Sequence, residues 1–355
     1  MTEVFNRNLV RILQAENRVV FVAHVEDISK YGPLSGYYDL PHVKRNNGIL
    51  AKISMYLSIQ LRIAYYAFKE KDCDIYMFFP TNNYCISIAL TRILCKGKVV
   101  SFIGGVMSEM YKAKRSLFYY PIRLSENISY ALSHSIIVYS ENIIAAWGLK
   151  KYADKVSFAH EHIVDVETFK VTDHYGDRKN TVGFIGRLSE EKGIWEFVQA
   201  IPEIAGKRKD VKFVIVGDGP LASRVSEYLV TNDLTSIVEM KGWVPHERLP
   251  AYLNQLKLIV IPSYTEGLPN AMLEAMACGT PPLAAPVGAI PDIIRDGDNG
   301  FIMENNSVSA IASNVIRALE DENLLSISHN ARAFVEKNFS FDATVKNFSA
   351  LRLPD

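Results

Sequence analysis

The segment Thr181-Val-Gly-Phe-Ile-Gly186-Arg187-Leu-Ser-Glu-Glu-Lys192-Gly193 joins a short apolar run to a glycine turn and then to the start of a helical pattern. The second half of the chain repeats this order, because each apolar run is followed by a turn with Gly or Pro and then by a helix. Strands that alternate with helices are typical of a parallel sheet covered by helices. We predict strands in this half at residues 181–185, 211–216, 237–240, 258–262 and 282–285.

The first half shows the same alternation in a less regular form. Strands are predicted at 18–24, 74–79, 98–103 and 135–139, and helices at 4–14, 49–69 and 86–94. A chain of 355 residues is long enough for two domains of ordinary size. The polar, turn-rich segment 162–180 is the predicted linker, which gives an N-terminal domain of residues 1–170 and a C-terminal domain of residues 171–355.

The predicted fold class is α/β, with two Rossmann-like, doubly wound domains that face each other across a cleft. In such domains ligands bind at the carboxyl ends of the strands, so both domains are expected to contribute to one site. The final helix of the chain is expected to pack back on the N-terminal domain.

Charge is distributed unevenly along a chain whose formal net charge is zero. Residues 1–170 carry 21 Lys and Arg against 15 Asp and Glu, whereas residues 171–355 carry 18 against 24. The zero total gives no indication of nucleic-acid binding. A basic first half predicts contact with an anionic partner such as a membrane surface, and ordinary scatter between two domains is the alternative.

Cysteine usage and the N-terminal sequence indicate a reducing, cytoplasmic location. No signal-peptide pattern opens the chain, and its most apolar long segment, 49–68, is interrupted by Lys52, Gln60 and Arg62. That segment predicts a buried or surface-docked helix. The cysteines lack zinc-site spacing and are predicted to be buried free thiols; they are Cys73, Cys85, Cys95 and Cys278.

Two cations flank the turn that follows the strand at 181–185. The strand ends at Gly186, Arg187 lies in the turn, and Lys192 precedes a helix that begins near Gly193. Cations beside the backbone N–H groups of a helix N-terminus form a natural cradle for a diphosphate. The alternative is that both are solvated loop charges.

Two carboxylates follow the strand at 258–262. Glu266 lies in the loop and Glu274 lies in the next helix, with Gly267 and Pro269 shaping the turn between them. A helix carboxylate can accept ribose hydroxyls, as an acidic residue does in dinucleotide folds, and Glu266 can accept sugar hydroxyls. Paired carboxylates also suit hydrolytic acid–base chemistry. The cationic loop favours phosphate recognition.

These segments together resemble the retaining family 4 glycosyltransferases, which have the GT-B fold. The resemblance rests on Gly186-Arg-Leu-Ser-x-Glu-Lys-Gly, Val216-Gly-Asp-Gly-Pro and Glu266-Gly-Leu-Pro-Asn-x-x-x-Glu-Ala-Met-Ala-Cys-Gly, and it covers residues 180–301 densely. It implies a nucleotide-diphosphate sugar of the UDP or GDP type, held by the C-terminal domain as a substrate, with no cofactor and no metal.

The resemblance also implies roles for individual residues. Arg187 and Lys192 would bind the diphosphate, Glu266 the sugar ring and Glu274 the ribose, and Arg187, Lys192 and Glu266 are the candidate catalytic residues. Retention of configuration is implied, with attack on the same face and the donor phosphate taking the acceptor proton. Further candidates for donor binding are Gly186, Gly217, Gly242, Gly267, Leu268, Pro269 and Asn270.

The N-terminal half matches the family more loosely. Gly104, Gly105 and His162 are the candidates on the side of the acceptor, a glycan or a lipid-linked sugar. The family's first strand and its glycine-rich turn are not found upstream of the helix at 4–14, which indicates a misplaced start or a rearranged sheet. Ile103 stands about where the family often has a histidine. Alternatives are therefore a sugar-nucleotide epimerase or hydrolase with this fold, or a binding subunit without catalysis.

Weaker patterns favour structural roles. Residues 72–74 and 296–298 match Asp-x-Asp, a metal-binding pattern of another glycosyltransferase fold, but both are interpreted as turn caps. The pair His160 and His162 can bind a metal, yet a hinge is the preferred interpretation because no third ligand is near.

A last candidate is the stretch 111–123, where Lys112, Lys114, Arg115 and Arg123 alternate with aromatic and aliphatic residues. It predicts peripheral contact with the inner face of an anionic membrane. The alternative is that its apolar residues belong to the core.

Overall fold

The computed structural model describes residues 2–15, 20–23, 34–40, 49–79, 84–113, 115–160 and 162–351. The chain divides into two compact units, one formed by Met1–His162 with Thr344–Asp355 and the other by Ile163–Ala343. The linker predicted at 162–180 therefore belongs almost entirely to the second unit. The division falls slightly before the boundary predicted at 170/171.

The first unit is built on parallel strands. Among the described residues, β1 pairs with β2, and a separate sheet has the order β3-β4-β5-β6. Both are parallel throughout, which agrees with the predicted α/β class. The strands are β1 (Val20–Ala23), β2 (Gly36–Asp39), β3 (Ile75–Phe78), β4 (Lys98–Phe102), β5 (Ser135–Val138) and β6 (Val156–Phe158).

Three helices of the first unit form a continuous layer. Helix α3 packs against both α2 and α5, and α4 packs against α5. Gln60, which interrupts the apolar pattern of α2, is buried and joins it to α3: the Ser87 N–H donates to Gln60 Oε1 at 3.0 Å. The helices are α1 (Thr2–Gln14), α2 (Ile49–Lys69), α3 (Cys85–Leu94), α4 (Met107–Ala113), α5 (Tyr119–Leu132) and α6 (Asn142–Ala146).

The second unit contains a six-stranded sheet within residues 163–343, all of which the structure describes. Every neighbouring pair is parallel, in the order β12-β11-β10-β7-β8-β9. Strands β10 and β11 are apolar and buried throughout, as expected for strands covered on both faces, whereas the edge strand β9 contains the exposed residues Glu239 and Lys241. The strands are β7 (Thr181–Ile185), β8 (Lys212–Val216), β9 (Val238–Gly242), β10 (Leu258–Ile261), β11 (Pro282–Ala284) and β12 (Phe301–Ile302).

This strand order reverses direction between β7 and β10. In a doubly wound sheet the crevice beyond the carboxyl ends of the strands at such a reversal is where ligands bind. The loops after β7 and β10 are those that carry the predicted phosphate and sugar residues. The helices of this unit are α7 (Ile194–Lys207), α8 (Ala222–Thr231), α9 (Leu249–Leu253), α10 (Asn270–Ala277), α11 (Ile290–Ile293), α12 (Val308–Leu319) and α13 (Leu324–Phe339). The last helix, α14 (Phe341–Ser349), begins in this unit and continues into the first.

A buried arginine organises the second unit on the side of the segment 163–180. The Arg178 guanidinium donates to Thr280 Oγ1 and the Cys278 carbonyl at 2.8 Å, and to Asn254 Oδ1 at 3.0 Å. Burial lowers the pKa of Arg178, although Tyr175 and other neighbours act in the opposite direction. Because five N–H donors point in fixed directions, one guanidinium can hold several loops together.

The last helix contributes to the core of the first unit. The Phe348 ring on α14 lies 5.8 Å from the Phe102 ring, and the Thr344 hydroxyl donates to the His162 carbonyl at 3.2 Å. Among the described helices, none combines the length and the apolar character that crossing a bilayer requires.

Candidate functional site

Three of the predicted glycines lie side by side where β7, β8 and β9 end. The Gly186 N–H donates to the Val216 carbonyl at 3.0 Å, and the Gly217 N–H donates to the Gly242 carbonyl at 2.8 Å. Gly217 has a φ of +137°, and a Cβ at this position would collide with the Gly186 carbonyl oxygen. Glycine is therefore required for the two turns to approach, which leaves their backbone accessible to a ligand.

The two predicted phosphate-binding cations occupy the turn after β7. Arg187 is exposed, and it has no ion pair to the residues that the structure describes. Lys192 closes a short 3-10 turn (Glu190–Lys192). Burial raises the pKa of Glu191, but a hydrogen bond from Ser189 and the charges of Arg187 and Lys192 outweigh it and hold that pKa below its usual value. The Glu191 carboxylate is therefore stabilised in its ionised form beside the two cations.

Lys192 forms an ion pair with Glu266. Lys192 Nζ lies 2.6 Å from Glu266 Oε1, and the Ser263 hydroxyl donates to the same oxygen at 2.8 Å. The Glu266 side chain is 9% exposed and that of Lys192 is 23% exposed, so the pair is largely shielded from water. The structure thus brings a predicted phosphate residue from the β7 loop to a predicted sugar residue from the β10 loop.

The backbone around Glu266 is held by neighbouring segments. The Tyr264 N–H donates to the Glu191 carbonyl at 2.9 Å, and the Ala289 N–H donates to the Gly267 carbonyl at 2.8 Å. Asn306 Nδ2 donates to the carbonyls of Pro262 and Ser263 at 2.8 and 2.9 Å. Because these bonds fix the loop, the Glu266 carboxylate is positioned before any ligand arrives.

Glu274, the predicted ribose residue, lies within α10 and is bonded to a histidine. His246 Nε2 is 2.8 Å from Glu274 Oε1, and the Glu274 side chain is only 13% exposed. His246 lies between β9 and α9, and its ring is 5.1 Å from that of Phe169. The imidazole therefore orients the carboxylate from the segment that joins β9 to α9.

The turn between the two carboxylates presents backbone rather than side chains. Leu268 and Pro269 are buried, whereas Gly267 and Asn270 are partly exposed. Asn270 is the first residue of α10, so the free N–H groups of a helix N-terminus follow directly. Such groups can bind an anionic oxygen, and the four residues contribute to a ligand site mainly through their main chain.

The candidates in the first unit have different surroundings. Gly104 and Gly105 follow β4 and are partly exposed, whereas Ile103 is fully buried. His162 is 1% exposed and packs 5.1 Å from the Tyr139 ring. It is therefore an interior residue of this unit, and its role towards an acceptor stays a prediction.

Sequence reasoning missed a buried carboxylate below the loop that contains Gly105. Glu126, which is 1% exposed, accepts from the Ser108 N–H at 3.0 Å and from the Ser108 hydroxyl at 2.6 Å. Arg123 lies 3.5 Å from the same carboxylate. The Glu126 carboxylate therefore anchors the first turn of α4.

Sequence reasoning also missed two residues of the site in the second unit. Ser263 could have been found from its place just after β10, whereas His246 carried no local signal.

The two carboxylates of the Asp-x-Asp pattern at 296–298 have other partners. Asp296 accepts two bonds of 3.0 Å from the Arg317 guanidinium and one of 2.8 Å from the Ile302 N–H, as a turn cap does. Asp298 accepts from Asn330 at 2.9 Å. Within the described part of the chain, no group of three or more His, Cys, Asp or Glu side chains could hold a metal ion.

The region that carries this site matches a known family. Residues 179–321 match the family model of the glycosyl transferases group 1. The chain is 28% identical, over 75% of each protein, to the capsular polysaccharide biosynthesis glycosyltransferase CapM of Staphylococcus aureus. It is 33% identical to the 2-deoxystreptamine glucosyltransferase of Streptomyces kanamyceticus, but that match covers 39% of this chain and only 36% of the relative.

Solved structures with low sequence identity share the fold over almost the whole chain. HepE of Anabaena, in complex with UDP and glucose, superposes with a TM-score of 0.71 at 17% identity, covering 97% of this chain and 95% of HepE. Sucrose-phosphate synthase of Thermosynechococcus elongatus gives a TM-score of 0.76 at 19% identity, covering 98% and 92%. The chain thus has the GT-B fold, and its residues 179–321 belong to the glycosyl transferases group 1.

Proposed function

We propose that the protein transfers a sugar from a nucleotide-diphosphate donor to an acceptor hydroxyl with retention of configuration, as a family 4 enzyme. The observation that carries this proposal is the pairing of Lys192 with Glu266 at 2.6 Å, beyond the ends of β7 and β10. A cation for phosphate and a carboxylate for sugar hydroxyls meet where the strand order reverses, which is where this class of sheet binds nucleotides.

The proposed chemistry depends on the leaving group. The diphosphate gains negative charge as the glycosidic bond breaks, and Arg187, Lys192 and the first N–H groups of α10 stabilise that charge. Glu274 accepts the ribose hydroxyls while His246 fixes its orientation. The acceptor hydroxyl attacks the face from which the diphosphate leaves, and a donor phosphate oxygen takes its proton. Neither a metal ion nor a nucleophilic side chain takes part.

Donor and acceptor are proposed from the relatives. HepE was solved with UDP and glucose, which supports a UDP-sugar, with a GDP-sugar as the second choice. CapM acts in capsular polysaccharide biosynthesis, which supports a glycan or lipid-linked acceptor. For such an acceptor we propose a cytoplasmic enzyme in peripheral contact with the inner face of an anionic membrane.

A thermal-shift screen of UDP, GDP, ADP and their sugars tests the donor. A ligand at 100 times its Kd raises the free energy of unfolding by about 2.7 kcal/mol, so one nucleotide class should raise the Tm clearly. The stabilising sugar nucleotide is then incubated with saccharide acceptors in excess EDTA. Transfer in EDTA supports the proposal. Release of free nucleotide without transfer indicates a hydrolase or epimerase, and activity restored only by Mn²⁺ contradicts metal independence.

A further inference from the structure

The helical layer of the first unit exposes an unusual amount of apolar surface. On α2, side chains four residues apart point outwards and form one stripe: Ile53, Leu57, Leu61 and Tyr65 are 42–57% exposed. Phe68 extends the stripe to the end of the helix. A groove of about 610 Å³ runs along it and includes Ser54, Ser58 and Arg62. Amphipathic surface helices normally bury such a stripe rather than expose it.

The same pattern continues across the layer. On α5 the exposed apolar side chains are Tyr120, Leu124 and Ile128, and Leu117, which precedes this helix, is 83% exposed. Residue 93, the isoleucine near the end of α3, is 77% exposed. The second unit differs, because its large exposed apolar residues are few and scattered; they are Val171, Val230, Trp243, Tyr264 and Leu325.

Charge identifies the partner of this surface. Within α2, α3 and α5 the sequence contains a single carboxylate, Glu126, and that residue is buried. The cations Arg62, Lys69 and Arg92 are exposed. Two copies of the chain would bring cations against cations here, so self-association is opposed by charge. A surface that is both apolar and anionic fits, and an anionic lipid bilayer has both properties.

We propose that the outer face of α2, α3 and α5 is the membrane-binding surface of the protein. The helices lie in the interface, with Leu57, Leu61 and Leu124 in the acyl boundary and Tyr65 at headgroup level. Arg62 and Lys69 reach anionic headgroups with their long side chains. This inference rests on the membrane contact of the proposed function. It assigns the main part of that contact to α2 instead of the segment 111–123.

Co-sedimentation of the full chain with vesicles tests the inference. Vesicles of phosphatidylcholine are compared with vesicles containing phosphatidylglycerol, at low and high salt. We expect binding that requires the anionic lipid and weakens with salt. Leu57→Glu with Leu61→Glu should lower it at least about tenfold, because charge replaces buried apolar area. Leu57→Ser with Leu61→Ser should lower it less. Matched controls are Val230→Glu with Leu325→Glu in the second unit, which should leave binding within about twofold.

The results of these experiments distinguish membrane binding through α2 from binding through the segment 111–123 and from self-association. If Lys112→Glu with Arg115→Glu abolishes binding while both α2 variants bind like wild type, the inference fails and the segment 111–123 is the contact. If wild type does not bind anionic vesicles at low salt, both membrane claims fail. If the α2 variants instead dissociate a dimer and no vesicle binding exists, the face is a self-interface. Glycosyl transfer is judged independently, by the donor thermal shift measured without vesicles.

Discussion

At the scale of single residues, Lys192 has two tasks in the proposed site. It holds Glu266 through a 2.6 Å ion pair, and it is expected to bind donor phosphate. Arg187 is exposed and pairs with none of the described acidic residues. The two cations should therefore differ in their effect on stability, because removing Lys192 leaves a largely buried carboxylate without its cation.

This difference predicts distinct results for two substitutions. Arg187→Ala and Lys192→Ala should each lower kcat/KM by roughly ten- to a thousand-fold, the range for loss of one partner of transition-state charge. Only Lys192→Ala should also destabilise the protein, by about 1–3 kcal/mol. Steady-state kinetics and urea unfolding measure the two effects. Near-wild-type kcat/KM in both folded variants would exclude the assignment.

The two carboxylates are predicted to act on different parts of the donor. Glu274→Ala should chiefly weaken binding of free nucleoside diphosphate, and His246→Ala should weaken it less, because His246 acts through Glu274. Glu266→Ala should leave nucleotide affinity nearly unchanged and impair transfer. Calorimetry with the free nucleotide separates them, and Glu247→Ala, next to His246, is the matched control. Equal loss of affinity in both carboxylate variants would contradict the separate roles.

At the scale of elements, the loop after β10 depends on a neighbouring turn. Gly288 has a φ of +60°, and a Cβ there would collide with the Glu266 carbonyl oxygen. Gly297 also has a positive φ, +74°, but a Cβ there would meet no atom within 4 Å. A substitution at either glycine would strain the backbone, but only a substitution at Gly288 would also create a collision with the Glu266 loop.

We therefore expect Gly288→Ala and Gly297→Ala to diverge in function. Each should lose about 1–2 kcal/mol of stability through the left-handed backbone of a non-glycine residue. Gly288→Ala should in addition displace the Glu266 loop and lower kcat/KM at least about tenfold, since misplacement of about 1 Å can cost a hundredfold. Kinetics and thermal unfolding of both variants give the comparison. Equal kinetics would show that the loop is not held from this side.

At the scale of the whole molecule, the partly buried His160 links stability to pH. Burial lowers the pKa of His160 to about 4, although a hydrogen bond to the backbone of His162 opposes the shift. The unfolded chain binds a proton near its ordinary pKa of about 6.5, so it gains the proton first as pH falls. The contribution of neutral His160 to the free energy of unfolding is therefore complete above about pH 6.5. It decreases as the pH falls to about 4, and below that pH this group causes no further loss.

The corresponding measurement is urea unfolding at pH 7 and pH 5. Between about pH 6.5 and about pH 4, His160 should contribute on the order of 3 kcal/mol to the loss of unfolding free energy, and the pair pH 7 and pH 5 samples part of this loss. His160→Gln should make the difference between the two pH values smaller, whatever its effect on stability at pH 7. His329→Gln, at an exposed position, is the control and should keep the wild-type difference. An unchanged pH difference in His160→Gln would contradict the link.

The sequence by itself determined the elements and the residue types of the site. Helix α2 and strand β7 have their predicted bounds, because hydrophobic periodicity and glycine turns are local signals. Strands β2, β6 and β12 were missed, since β2 is bounded by Gly36 and Asp39, β6 is interrupted by Ser157, and β12 has only two residues, so none gives a sustained apolar run. The cations after β7 and the carboxylates after β10 were predicted from their places at the ends of strands.

Only the tertiary structure decided which of those residues meet. Lys192 and Glu266 are 74 residues apart in the chain, and His246 and Glu274 are 28 apart. The first contact depends on β7 lying beside β10, and the second joins the segment after β9 to the helix after β10. Strand order is a property of the whole sheet that no local pattern contains. The exposed face of α2 has the same origin: its stripe was predicted as apolar, but whether such a stripe is covered depends on what packs against it.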